Sequence, residues 1–115
     1  KVVLVIDHYV PEADAESRER ERSRRLDLHR RHAVLAARLL AARRPQATAL
    51  IVRARGVVDR WERERLCSRH YVSRWRAMLE GPAERVALAL LDPGDWRDAL
   101  FQNTPWGFAL EPGTP

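Results

Sequence analysis

Residues 26–45, LDLHRRHAVLAARLLAARRP, place Leu28, His32, Leu35, Leu39 and Ala42 at alternating steps of four and three. That spacing is one face of an α-helix, not the alternation of a strand. Arg43-Arg44 close the run. Pro45 forbids its continuation, because proline lacks an amide proton and clashes with the preceding turn. This stretch decides the fold class, since the chain downstream repeats the same pattern.

Leu50, Ala54, Val57, Val58 and Trp61 form a second amphipathic stripe on a helix predicted to start near Gln46. Gly56 weakens it by about 1 kcal/mol relative to alanine. Arg53, Arg60 and Glu64 fall on the opposite face. A break at Leu66–Ser68, with Ser68 as N-cap, precedes a third helix lined by Tyr71, Val72, Trp75, Met78 and Leu79. Gly81-Pro82 ends that helix, and Pro82 opens a fourth with Val86, Leu88, Leu90 and Leu91 as its apolar residues. Asp92-Pro93-Gly94 is a turn. Asp95 is then the expected cap of a short fifth helix carrying Trp96, Ala99, Leu100 and Phe101. Beyond Asn103 the chain is rich in Pro and Gly, and its aromatic part is expected to dock on the bundle.

Upstream, Val2–Ile6 is continuous, β-branched and apolar, and reads as a strand-like arm. Residues 12–26 are nearly all charged. They read as a solvated helix or a frayed arm, with Glu16 set to pair with Arg20 and Glu21 with Arg24 or Arg25. The expected fold is mainly α: a small orthogonal bundle of four to five helices with an N-terminal strand-like arm. It divides into a charged arm (1–25), a helical domain (26–110) and a loose tail (111–115).

With 115 residues the chain is one domain's worth, large enough to keep a core without staples. One Cys excludes an internal disulfide framework. There is no apolar run of membrane length, and Val2–Ile6 is too short for a leader-peptide core. The expectation is a cytoplasmic protein that does not engage a membrane.

The formal net charge of +5 conceals a pattern. Residues 1–17 carry −3, residues 18–76 carry +12 and residues 77–115 carry −4. A basic middle between acidic ends favours anionic partners, unless the ends fold back and neutralise it.

Signatures of catalysis and of cofactor binding are absent: no Gly-rich phosphate loop, no Gly-x-Ser-x-Gly, no His-Glu-x-x-His. His29-x-x-His32 and Cys67-x-x-His70 are isolated pairs that match no zinc spacing, and no metal is assigned. The second and third helices, 46–80, have the lengths of a helix-turn-helix that would present Arg69, His70, Ser73, Arg74 and Arg76. The turn lacks the glycine often found there. Trp61, Trp75 and Trp96 read as core. Trp106, in Pro105-Trp106-Gly107-Phe108, lies outside any helix and is either docked or an anchor for a partner.

From Leu28 to Leu110 the chain resembles a group of small helical bacterial proteins, some of them beside toxin–antitoxin or mobile-element genes. The residues that carry this are Trp61, Cys67-Ser68, Tyr71, Arg74-Trp75, Leu79 and above all Leu100-x-Gln102-Asn103-Thr104-Pro105-Trp106. The resemblance implies a partner-binding or antitoxin-like role and brings no catalytic residues. Separately, Val3–Pro11 with Asp14-Ala15 looks like the opening strand of a two-domain nucleotide-sugar glycosyltransferase, an enzyme class that the rest of the chain departs from. The expected function is non-catalytic binding of a protein partner, such as the product of a neighbouring gene. The alternative is a DNA-binding regulator. The candidate surface is Arg53, Arg60, Arg69, Arg74, Arg76, Trp106 and Phe108.

Overall fold

The computed structural model describes residues 11–110. Both the strand-like Val2–Ile6 and the tail 111–115 lie outside the described residues. Within them the chain is mainly helical, with no strand: α1 (Pro11–Ala41), α2 (Arg44–Glu64), α3 (Arg69–Met78), α4 (Ala83–Leu91), a 3-10 turn (Gly94–Trp96) and α5 (Arg97–Gln102).

The apolar stripe of α1 is the one read from its spacing. His32, Leu35 and Leu39 are buried together with Ala36, and Leu28 and Ala42 are half-buried at its edges. The helix continues upstream without a break through residues 12–25, and its 31 residues make a rod of about 46 Å. Those first turns are exposed on nearly every face. A helix that is polar all round persists through its own side-chain pairs. Here these are Asp14 with Arg18, Glu21 with Arg24 at 2.6 Å, and Asp27 with Arg30 at 2.6 Å and Arg31 at 2.8 Å. Hydrogen bonds from Arg24 and Arg30 hold the Glu21 and Asp27 carboxyls below their ordinary range.

Pro45 has two roles. It stops α1, and it sits in the first turn of α2, where a missing amide proton costs nothing. Helix α2 therefore starts at Arg44, slightly before the predicted Gln46. Its buried residues are Ala47, Ile51, Ala54 and Val58, with Leu50, Val57 and Trp61 half-buried beside them. Although only two residues separate α1 from α2, they do not lie side by side; both pack on α4, which also touches α3. Ser68 caps α3, its hydroxyl accepting from the Tyr71 amide at 3.3 Å. The guanidinium of Arg55 on α2 closes the other end of α3, donating from Nε to the Leu79 carbonyl at 3.0 Å. A cation suits that position because the last carbonyls of a helix are electronegative.

Two expectations fail on the following elements: Trp96, read as core, is 44% exposed, and Asp95 is not a cap. Helix α4 buries Val86, Ala87 and Leu90, whereas Leu88 and Leu91 are 62% and 49% exposed. Asp95 does not cap α5. The 3-10 turn leads straight into it, with Gly94 at φ +84, and the N-cap position is Trp96 with no side-chain hydrogen bond.

The segment 103–110 closes the fold by reaching back to three helices. Trp75 of α3 donates its indole N–H to the Asn103 carbonyl at 2.8 Å. Arg38 of α1 donates to the Ala109 carbonyl at 2.8 Å, and Arg53 of α2 lies 4.3 Å over the Phe108 ring. The centre of this clasp is His32. Its Nδ1 lies 2.7 Å from the Leu28 carbonyl, which can only accept, so Nδ1 carries the proton. In the neutral ring Nε2 must then accept, and it does so from the Thr104 hydroxyl at 2.9 Å. That hydroxyl accepts in turn from the Trp106 amide at 3.1 Å. The ring lies flat on Phe101, with centroids 3.9 Å apart and planes within 4°.

Burial holds His32 neutral, lowering its pKa to about 4 against the bond to Leu28, with nearby His29 adding to the drop. The unfolded chain therefore takes up a proton at this ring that the folded chain refuses. Stability should be complete above pH 6.5 and should fall by about 3 kcal/mol as the pH drops to about 4. Denaturant midpoints across that interval should show the slope in the native chain, and H32N should flatten it. In addition, a Cβ placed on Gly56 meets nothing within 4 Å, so Gly56→Ala should raise stability by about 1 kcal/mol.

Candidate functional site

The end of α2 and the start of α3 enclose an open cleft of about 1140 Å³. Its geometry follows from how α2 stops. Arg65 adopts the left-handed conformation, φ 53 and ψ 42, and its amide turns back to the Glu62 carbonyl at 3.3 Å. The Leu66 amide closes the turn on the Trp61 carbonyl at 2.9 Å. Glycine is the usual residue at such a helix end, because any Cβ is strained there. In this chain an arginine takes the position, and its side chain lines the cleft.

Arg63, Arg65 and Arg69 border the cleft, all three exposed and none with an ion pair among the described residues. Val72, itself buried, and Ala77 give it an apolar floor. Cys67 and Ser73 lie along its wall. Glu62 and Glu80 mark one side. Arg76 also borders the cleft, but its charge is already answered: it donates to Asp59 at 2.8 Å and to Glu62 at 2.7 Å. The Asp59 hydrogen bond leads in raising its pKa above the ordinary guanidinium value.

Of the seven surface residues singled out by sequence, only Arg69 and Arg76 meet at this site. Arg60 pairs with Glu64 one turn along α2. Arg53 covers Phe108. Arg74 is half-buried, directed at the Pro93 carbonyl at 3.4 Å. Trp106 is fully buried and Phe108 half-buried, so the aromatic segment is not a free anchor. The reason is the pull of His32, Trp75 and Arg38 on the backbone around it. The residues that sequence reasoning missed are Arg63 and Arg65. In Glu62-Arg63-Glu64-Arg65 the charges alternate and read as a solvated helix face. The left-handed turn at Arg65 ends α2 there, and Arg63 and Arg65 then border the cleft together with Arg69.

The His and Cys pairs are drawn apart. His29 bonds Asp98 at 2.7 Å, His32 is committed at both nitrogens, His70 packs on Trp96 at 4.3 Å, and Cys67 borders the cleft. Among the described residues no three His, Cys, Asp or Glu side chains are grouped to hold a metal ion. What the cleft offers chemically is three unanswered guanidinium groups around a concave, partly apolar surface. Such forks match the geometry of carboxylate and phosphate oxygens.

The strain at Arg65 is measurable. Arg65→Gly should stabilise the fold by about 1 kcal/mol, raising the thermal midpoint by roughly 4–8 °C. An unchanged or lower midpoint would mean that the left-handed turn is not held in solution. No family model, curated protein or solved structure matches this chain, so its site is read from its own geometry.

Proposed function

We propose that this chain is a non-catalytic binding protein, a bacterial cytoplasmic operon component of antitoxin-like type. In this reading it holds a protein partner on the basic surface where α2 turns into α3. The observation that carries it is the set of three arginines around one concavity, none with an ion pair among the described residues. Guanidinium groups crowded together repel, and a partner's anionic groups relieve that cost. The resemblance of Leu100–Trp106 to small helical bacterial proteins agrees with such a role. In the fold that stretch belongs to the clasp, with Leu100 and Trp106 buried.

Duplex DNA is the weaker fit. A recognition helix needs a row of free cations and base-reading side chains along its outer face. On α3, His70 is packed on Trp96, Arg74 is directed at Pro93 and Arg76 is closed by two carboxylates. Arg69 and Ser73 remain, with Glu80 on the same cleft to repel phosphates. As to membranes, no helix of the described residues is long and apolar enough to cross one.

Co-expression with the neighbouring gene product tests the reading. A defined complex should form with the native chain and be lost in the R63E/R65E/R69E triple variant. Failure of the native chain to form that complex, together with a salt-sensitive mobility shift of random duplex, would replace the protein reading with the DNA one.

A further inference from the structure

We infer that the α2–α3 cleft receives a short acidic peptide segment, with carboxylates on Arg63, Arg65 and Arg69 and an apolar side chain between them on Val72. This rests on the partner-binding reading and names the chemistry of what binds. Four observations converge on it. At about 1140 Å³ the cleft exceeds the roughly 300–1,000 Å³ of ordinary small-ligand pockets, and it is open to solvent, room enough for a segment of chain. Its cations come from two elements, Arg63 and Arg65 ending α2 and Arg69 opening α3, so no single helix face accounts for them. Its floor is apolar at Val72 and Ala77, which a bare anion would leave unused. Finally, Arg65 holds a backbone conformation that favours glycine, so the side chain is placed there against the preference of the fold.

The flanking acids sharpen the choice of ligand. Glu80 borders the same cleft without an ion pair among the described residues and repels a continuous polyanion, whereas Glu62 is answered by Arg76. A peptide meets this arrangement by interrupting its carboxylates with an uncharged residue. Nucleic acid, with a phosphate at every step, cannot do so.

Cys67 provides the readout. It is the chain's one cysteine, half-buried in the cleft wall, so its rate of labelling reports occupancy of this site and no other. The experiment follows labelling of the full chain by a small thiol reagent, with the blocked peptide Asp-Glu-Leu-Glu-Asp as probe. Controls are a Leu→Ser version, an all-lysine counterpart and a short random DNA duplex. Saturable slowing by the acidic peptide is expected, weaker with the Leu→Ser version and absent with the lysine peptide. R63Q, R65Q and R69Q should each weaken protection by about tenfold, the worth of one charge-assisted bond. R65G, expected to fold more stably than the native chain, should weaken it as much as R65Q, which separates loss of contact from loss of folding. Stronger protection by the duplex than by the peptide, or equal protection by Asp-Glu-Leu-Glu-Asp in all four variants, overturns the inference. If the peptide leaves Cys67 unprotected while the neighbouring gene product protects it, the acidic-peptide inference fails and the partner reading stands. If neither protects it, both fall.

Discussion

An imidazole sealed between α1 and the C-terminal segment has to stay neutral, and that requirement orders much of the structure around it. His32 has no exposed surface, and both its nitrogens are used in a fixed direction, from Trp106 through Thr104 and the ring to Leu28. A second proton would break the bond at Nε2 and leave a charge in an apolar setting stacked on Phe101. The same ring sets the height of α5, through Phe101, and the path of the segment after it, through Thr104. Trp75 and Arg38 fix that segment on either side. With the clasp closed, Trp106 becomes core.

Along the projecting part of α1, and at Arg60 and Arg76, opposite charges answer each other, and exposed pairs of this kind add little to stability. The turn after α2 is different. It brings Arg63, Arg65 and Arg69 to one concavity, and none of the three has an ion pair among the described residues. The +12 of the basic middle is what remains after its own acids are counted, and Arg63, Arg65 and Arg69 are the part of it that borders the cleft.

Much of the fold was legible because it is local. The steps of three and four from Leu28 to Ala42, the stop at Pro45 and the cap at Ser68 act over a single turn, and the structure shows all three. What was not legible depends on contacts far apart in the chain. His32 meets Thr104 across 72 residues, so periodicity marks the histidine as buried without saying what satisfies it. The exposure of Leu88 and Leu91 follows from which face of a nine-residue helix meets α1, and an almost wholly apolar helix does not reveal that face. Arg63 and Arg65 escaped for a third reason. Their role depends on a left-handed residue at a position where the sequence carries no glycine to announce it.

The claim beneath this account is that His32 is a neutral, directed link between α1 and the C-terminal clasp. Nitrogen NMR of the histidine rings at about pH 6 tests it most directly, since the two ring nitrogens report protonation and tautomer separately. The account predicts an uncharged His32 with its proton on Nδ1, together with a Trp106 amide strongly protected from exchange. A ring that titrates near its ordinary 6.5, or that carries its proton on Nε2, would contradict it.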